Sequence, residues 1–298
     1  MTTEKENSSL ASSVIWTPTT IQEALAKKKE FGADACFISG GTLLQLQWEN
    51  GNKVPKHLIS LQLIQKMQGI EVERDHDCKV LSIGALSTLA TCQNHSLVTM
   101  ERKLLSEAVK HIAAPAVRNQ ATIGGNIAGR SGDVIPALLV MDAEVSLCNK
   151  VSSLKKSVWS WLKDKEDQQD DLLTQVHLPI NEQERNMHYF YKKIGRREAF
   201  TAAIVTVAGS MSLNELGELD HVRLAVGGGD NLPHRLEATE RLFKGEKLST
   251  VTWKEVYSSI LKEFLPTTDA FLSADYRKKV AAHIIISELQ ELVFPSLK

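Results

Sequence analysis

Two pairs of adjacent glycines are the clearest candidates for ligand-binding loops in this 298-residue sequence. One lies in Ser39-Gly40-Gly41-Thr42 and the other in Thr122-Ile123-Gly124-Gly125-Asn126. Because glycine has no side chain, consecutive backbone N–H groups in such a turn can converge on one phosphate oxygen. The flanking Thr42, Thr122 and Asn126 would add side-chain donors. The two loops together predict a pocket that encloses a diphosphate from both sides without a lysine or arginine.

Other motifs that carry chemistry are absent from the sequence. Neither glycine pair fits the GxGxxG pattern of a Rossmann fold, and no GxxxxGK[ST], HExxH or GxSxG motif occurs. The four cysteines, Cys36, Cys78, Cys92 and Cys148, are too widely spaced for a local zinc or iron–sulfur site. Each glycine pair alone also fits an ordinary structural turn. The sequence therefore predicts no metal site and no catalytic residue on this chain.

The composition is that of an ordinary globular protein, with 43% hydrophobic and 24% charged residues. The net charge of −1 gives no electrostatic reason to bind nucleic acid or an anionic membrane. The apolar runs are shorter than the roughly 20 residues of a membrane-spanning helix. The N-terminal residues are polar and lack the apolar region of a secretory signal. We therefore expect a cytoplasmic protein with reduced thiols, no membrane span and no nucleic-acid partner.

The first half of the sequence interleaves short helices and strands. Thr20 and Glu23 form a capping-box pattern that starts a helix. The apolar residues 35–38 predict a buried strand that runs directly into the first glycine loop. Residues 70–73 and 80–83 alternate polar and apolar side chains, which predicts a hairpin.

The second half changes character beyond residue 180. Long strands are predicted over residues 202–213 and 221–226, followed by helices over 236–243, 251–264 and 273–292. Strands followed by helices favour a separate α+β unit. We expect a disordered tail over residues 1–13, a first domain over 14–182 and a second over 187–294, with the acidic segment 164–171 as a solvated loop.

Four segments follow one another along the chain in an order that is typical of one protein family: FISGGTLL, RNQATIGGNIAGRSGDVIPALLVMDAEV, LPI and FYKKIGRREAF. This order resembles the FAD-binding subunit of the molybdenum hydroxylases, the xanthine dehydrogenase and carbon monoxide dehydrogenase relatives, over residues 14–292. The resemblance implies an α+β fold. Residues 14–182 would form an FAD-binding domain of the vanillyl-alcohol-oxidase (PCMH) type in two α/β subdomains. Residues 187–294 would form a C-terminal domain of the carbon monoxide dehydrogenase flavoprotein type, with a three-stranded antiparallel sheet and helices.

The resemblance also assigns residues that contact FAD. The first loop would contribute Phe37, Ile38, Ser39, Gly40, Gly41, Thr42, Leu43 and Leu44; the second would contribute Thr122, Ile123, Gly124, Gly125 and Asn126; the others would be Ile112, Asp133, Thr174 and Lys192. Residues 196–198 match a mobile loop that borders the flavin in relatives and are given no catalytic role. Residues 129–132 form a shorter link than in relatives, which leaves the contacts to the adenosine half open.

Four of these positions have specific expectations. The Asp133 carboxylate would accept a hydrogen bond from a ribose hydroxyl, or would instead cap the helix that follows it. Ile112 stands where xanthine-oxidising relatives have an aromatic residue, so it can cover a ring face without π-stacking. Thr174 matches a nucleotide-contacting position that is often apolar in relatives. Lys192 matches a lysine near the cofactor, where a cation favours a negatively charged reduced flavin.

The resemblance implies a redox subunit with dissociable, non-covalent FAD. Single electrons would arrive from 2Fe-2S clusters and leave in pairs to NAD+ or another acceptor. The iron–sulfur clusters and the molybdenum cofactor would reside on a small and a large partner subunit, in a dimer of heterotrimers. Purine oxidation is the first expectation for the complex, while carbon monoxide, aldehydes and aromatic heterocycles stay open. Two alternatives are a free-standing FAD-dependent reductase of the same fold and a flavin-free assembly scaffold.

Overall fold

The computed structural model describes residues 13–75, 78–149, 152–164, 171–181, 187–195, 203–215, 218–229, 231–247 and 249–293. The predicted tail lies outside these residues except for Ser13. Residues 165–170 of the acidic segment 164–171 and the whole loop at 196–198 also lie outside them.

A small parallel sheet forms the N-terminal subdomain. Its strands are β1 (Val14–Trp16), β2 (Ala35–Ile38) and β3 (His57–Ser60), in the order β1-β3-β2, and its helices are α1 (Ile21–Phe31) and α2 (Thr42–Glu49). The predicted capping box starts α1. The hydroxyl of Thr20 accepts a hydrogen bond from the Glu23 amide at 3.2 Å, and the Glu23 carboxylate accepts one from the amide of Thr19 at 2.8 Å.

A five-stranded antiparallel sheet forms the second subdomain, in the order β4-β5-β8-β6-β7. The predicted hairpin is β4 and β5, which pair directly. The strands are β4 (Ile70–Asp75), β5 (Cys78–Gly84), β6 (Glu144–Cys148), β7 (Ser153–Ser157) and β8 (Leu172–Ile180). The helices are α3 (Leu89–Asn94), α4 (Ser96–Glu101), α5 (Lys103–Lys110), α6 (Pro115–Gln120), α7 (Ile123–Ala128), α8 (Ile135–Val140) and α9 (Val158–Lys163).

The C-terminal unit is a four-stranded antiparallel sheet covered by helices, in the order β12-β11-β10-β9. Its strands are β9 (His188–Gly195), β10 (Ala203–Leu213), β11 (Leu219–Gly227) and β12 (His234–Arg235), and its helices are α10 (Glu237–Glu240), α11 (Trp253–Glu263) and α12 (Ala274–Val293). The family resemblance implies three strands here, so the strand count is corrected to four. The fourth, β12, has only two residues, too few to give an alternating pattern.

Helix α8 joins the N-terminal half to the C-terminal sheet. All six of its residues are buried, and it packs against β10 and β11. Ala208 and Ala225, which face each other across these two strands, belong to the core of the N-terminal half. At the far end of α8, Asp142 forms ion pairs with Arg223 and Arg235. The two halves therefore share one buried helix.

None of the helices that the structure describes combines the length and the hydropathy needed to traverse a bilayer.

Shortening a side chain of α8 should destabilise the whole chain. Leu138 is fully buried, so Leu138→Ala should lower the free energy of unfolding by about 2–5 kcal/mol, through lost burial and a residual cavity. Leu154→Ala is the matched control, because Leu154 is 46% exposed on β7 and should cost less than about 1 kcal/mol. Urea unfolding measures both values. Equal losses would contradict the central position of α8.

The pH dependence of stability should report on His221. Burial, then the nearby positive charges of Arg223 and Arg235, lower the pKa of this histidine from 6.5 to about 4. Between these two pH values His221 is protonated in the unfolded chain but neutral in the folded chain. The free energy of unfolding therefore falls as the pH drops from about 6.5 towards 4. His221→Gln should make the free energy of unfolding less sensitive to pH over this range. Urea titrations at several pH values test this, and an unchanged slope would contradict it.

Candidate functional site

The two glycine loops lie against each other. The first connects β2 to α2, and the second forms the start of α7. The hydroxyl oxygens of Ser39 and Thr122 are 3.0 Å apart. A Cβ atom on Gly40 would overlap the carbonyl oxygen of Gln120, so only glycine permits this approach. The sequence prediction that the loops share one site is therefore consistent with their placement.

A cavity of about 290 Å³ opens at this junction. Ser39, Gly40 and Thr122 line it together with the amide-bearing residues Gln62, Gln68 and Asn119. Hydroxyl and amide groups of this kind donate hydrogen bonds to phosphate or ribose oxygens without adding charge. The residues that line the cavity are uncharged, and most of them carry a hydroxyl or amide side chain.

The first loop presents free donors at the start of α2. Gly41 precedes this helix with φ +70°, in the left-handed region that favours glycine. No side chain caps the first turn, and the first amides of a helix have no acceptor within it. The amides of Thr42, Leu43 and Leu44 are thus available to an anion at the positive end of the helix. Phe37 and Ile38, at the end of β2, lead into this turn and are partly buried.

The second loop departs from the prediction. The amides of Ile123 and Gly124 donate to the carbonyl oxygens of Ser87 and Ala85, at 3.0 and 2.9 Å. The amide of Gly125 donates to the Thr122 hydroxyl, at 3.0 Å. Because these donors are already satisfied within the protein, the expectation of a second row of converging amides is wrong. The loop contributes the Thr122 hydroxyl and a close-packed backbone.

Thr174 supports the second loop from behind. Its carbonyl oxygen accepts a hydrogen bond from the Ala85 amide at 2.9 Å, and the carbonyl of Ala85 in turn holds the amide of Gly124. The hydroxyl of Thr174 donates to the carbonyl of Ser146, at 3.2 Å. The side chain is buried and is not part of the cavity lining.

Asp133 is connected to the second loop and to β9. The amide of Val134 donates to the side-chain oxygen of Asn126 at 3.2 Å, which ties the segment around Asp133 to the loop. The Asp133 carboxylate forms an ion pair with Lys193 at 2.7 Å, and its carbonyl accepts a hydrogen bond from the Tyr191 hydroxyl at 2.8 Å. No side chain caps α8, so the alternative role of Asp133 as a helix cap is excluded.

Tyr191 acts as a permanent donor in this cluster. Burial, then the nearby charge of Asp133, raises the pKa of its hydroxyl well above the usual value of 10. The hydroxyl therefore stays protonated and keeps its hydrogen bond to the Asp133 carbonyl.

Ile112 and Lys192 lie away from the cavity. Ile112 is 5% exposed within the N-terminal core, and its carbonyl accepts a hydrogen bond from Arg118 at 2.9 Å. Lys192 is half exposed and forms an ion pair with Glu288 of α12 at 3.0 Å. Lys192 lines a separate cleft of about 570 Å³ between α4, α5 and β9. Neither residue contacts the glycine loops in this structure.

The link over residues 129–132 is held by Arg130. Its guanidinium donates to the carbonyl oxygens of Leu162 and Asp164, at the end of α9, and stacks over Trp161. This side chain therefore anchors the link to α9.

Sequence reasoning missed Tyr191 and Lys193. Side chains alternate between the two faces of a strand, so residues 191 and 193 of β9 share a face that excludes residue 192. The sequence predicts this alternation, but it does not show which residues each face of the strand contacts.

Two family models match the chain. The FAD binding domain in molybdopterin dehydrogenase covers residues 8–181, and the CO dehydrogenase flavoprotein C-terminal domain covers residues 189–292. The first model alone covers more than half of the chain. The chain therefore belongs to the family of FAD-binding subunits of the molybdenum hydroxylases, and it is an oxidoreductase subunit.

Individual relatives agree with this family. The chain is 27% identical over 217 residues to the glyceraldehyde dehydrogenase medium chain of Sulfolobus acidocaldarius, covering 71% of this chain and 75% of that one. It is 24% identical over 250 residues to the xanthine dehydrogenase FAD-binding subunit of Escherichia coli O157:H7, covering 82% and 83%. Carbon monoxide dehydrogenase from Hydrogenophaga pseudoflava has the same fold, with a TM-score of 0.85 and 23% identity over 93% of this chain and 96% of that one. The predicted fold class is confirmed.

The residues present fit FAD. The uncapped turn of α2 offers amides to a diphosphate, Gly40 keeps the space between the loops free of side-chain atoms, and the hydroxyls of Ser39 and Thr122 meet at the same point.

Replacing Gly40 should disrupt cofactor binding more than folding. In Gly40→Ala, the new methyl group would force the first loop away from Gln120, so FAD affinity should fall by about tenfold or more. Gly51→Ala is the control: Gly51 lies beyond the C-terminal end of α2, outside the cavity lining and with open space around it. Its φ of +93° makes an alanine cost stability, but FAD affinity should not change. Titration of apoprotein with FAD gives the affinities, and melting temperatures report folding. Wild-type affinity in Gly40→Ala would contradict the site.

Proposed function

We propose that this chain is the FAD-binding subunit of a xanthine dehydrogenase-like molybdenum hydroxylase that passes electrons from the iron–sulfur clusters of a partner through FAD to NAD+. The observation that carries this proposal is the contact between the two glycine loops beside the uncapped start of α2. FAD, when bound, supplies the chemistry that connects single-electron donors to a two-electron acceptor.

The chain's own residues would bind and orient the cofactor. Amides at residues 42–44 would hold the diphosphate, and the hydroxyls of Ser39 and Thr122 would fix its position from the other side. The Asp133 carboxylate, held by Lys193, has a second oxygen that can accept a hydrogen bond from a hydroxyl of the cofactor. The exposed side chain of Leu43, 42% accessible, would cover apolar parts of the cofactor and exclude water.

Partner subunits would carry the remaining redox centres. Several relatives are described as a medium chain or as one subunit of a larger enzyme, among them the carbon monoxide dehydrogenase medium chain of Hydrogenophaga pseudoflava and the nicotinate dehydrogenase FAD-subunit of Eubacterium barkeri. The sequence of this chain holds no cysteine cluster for an iron–sulfur centre. We extend the proposal to an iron–sulfur small subunit and a molybdopterin large subunit, assembled as a dimer of heterotrimers.

Purines are the proposed substrates of the complex. Xanthine dehydrogenase FAD-binding subunits match this chain over 82% of its length, although relatives named for glyceraldehyde and nicotinate match comparably. The subunit that holds the molybdenum cofactor selects the organic substrate, so this part of the proposal is tested on the complex.

The test is purification of the full chain together with the subunits that accompany it. We expect a flavin absorption spectrum, release of FAD by acid, and NADH formation when xanthine and NAD+ are supplied. Aldehydes, nicotinate and carbon monoxide serve as competing substrates. The isolated chain with added FAD should oxidise none of them.

Three outcomes would contradict the proposal. A colourless chain that takes up no FAD would favour an assembly scaffold. Turnover of NAD(P)H and a small substrate by the isolated chain would favour a free-standing reductase. A complex that oxidises xanthine with oxygen or a dye but not with NAD+ would refute the assigned acceptor.

A further inference from the structure

The neighbouring lysines of β9 make contacts on opposite faces of the strand. The Nζ atom of Lys192 lies 3.0 Å from Glu288, and its side chain is 49% exposed. The Nζ atom of Lys193 lies 2.7 Å from Asp133, and its side chain is only 9% exposed. Asp133 is itself 17% exposed. Glu288 is also 17% exposed, so the two ion pairs differ in the burial of the lysine and not of its partner. Lys193 is the buried lysine, whereas the family resemblance selects Lys192.

The two chain neighbours of Asp133, Gly132 and Val134, contact Asn126 of the second glycine loop. Gly132, next to Asp133, packs so tightly on Asn126 that a Cβ atom there would overlap its backbone and side-chain oxygens. The Val134 amide, on the other side of Asp133, donates to the same side chain. A shift of Asp133 would therefore move Asn126, which lies within α7.

Two residues of strand β9 bind Asp133. Tyr191 donates to its backbone carbonyl, and Lys193, two residues further along the same face, pairs with its carboxylate. A largely buried ion pair loses most when only one partner is removed, because the remaining charge has no compensation. The position of Asp133 therefore depends on Lys193 more than on any exposed charge.

We propose that Lys193, rather than Lys192, is the lysine that positions the FAD site, and that it acts through Asp133 on the second glycine loop. The proposal rests on the proposed function, since it assumes that FAD binds between the two loops. Lys193 is a positioning residue: its contact is the carboxylate of Asp133, and the C-terminal sheet thereby controls a loop of the N-terminal half.

The first experiment compares lysine substitutions in the full chain. Lys193→Met keeps the length of the side chain and removes its charge, and should weaken FAD binding by about tenfold or more. Lys193→Arg restores a charge and should recover most of the affinity. Lys192→Met is the rival substitution and should weaken binding less than Lys193→Met. Lys279→Met removes a comparable pair with Asp275 on the surface of α12, so it should stay within about twofold of wild type.

The second experiment tests the route through Asp133. Asp133→Asn and Lys193→Met are combined in a double variant, which removes both charges and leaves no buried ion without its partner. The single variant Asp133→Asn is measured as well, because Asp133 can contact the cofactor directly. If Lys193 acts through Asp133, the double variant should lose no more FAD affinity than the weaker-binding of the two single variants. The same double variant keeps the test decisive if Lys193→Met does not fold. Circular dichroism and melting temperatures of the apoproteins report folding separately from binding.

The outcomes separate this proposal from the proposed function. A wild-type chain that binds no FAD refutes the proposed function. If the wild type binds FAD, three results overturn the role of Lys193: wild-type affinity in Lys193→Met, a larger loss in Lys192→Met, or additive losses in the double variant. A failure of Lys193→Arg to recover affinity would also overturn it, because the arginine supplies the charge.

Discussion

The close approach of the Gly40 backbone to the carbonyl of Gln120 is the contact on which the site depends. It brings a turn of the small parallel sheet against a helix start of the larger subdomain, although the bonded hydroxyls of Ser39 and Thr122 are 83 residues apart in the chain. One missing methyl group makes this possible. The cavity lies at this contact, since Gly40 and Gln120 both line it.

The two glycine loops divide the work unequally. At the first loop, the helix that follows begins with unpaired amides, so the backbone can bind an anion directly. At the second loop, the amides donate hydrogen bonds to the carbonyl oxygens of Ser87 and Ala85 and to the Thr122 hydroxyl. The glycines there allow close packing of the backbone. Similar sequence motifs thus have different physical purposes. The hydrogen bonds from Gly124 to Ala85 and from Ala85 to Thr174 give the second loop a rigid support.

Local patterns were predictable from the sequence, and long-range partners were not. The capping box of α1 and the hairpin of β4 and β5 depend on neighbours a few residues away, so the sequence predicts both. The satisfied amides of the second loop depend on the segment around Ala85, and the choice between Lys192 and Lys193 depends on where Asp133 and Glu288 fall in space. The burial of Ile112 is likewise a property of the assembled core. Identifying the flavin loops needed the family resemblance, since each glycine pair alone fits an ordinary turn.

Helix α8 gives the molecule a further property. Its six residues are covered on one side by the N-terminal core and on the other by β10 and β11. Cutting the chain between the halves would expose this apolar surface. It would also leave Asp133 and Asp142 without their basic partners. Neither half is a portable module. A different C-terminal half could therefore replace this one during evolution only if its sheet offered an apolar surface complementary to α8.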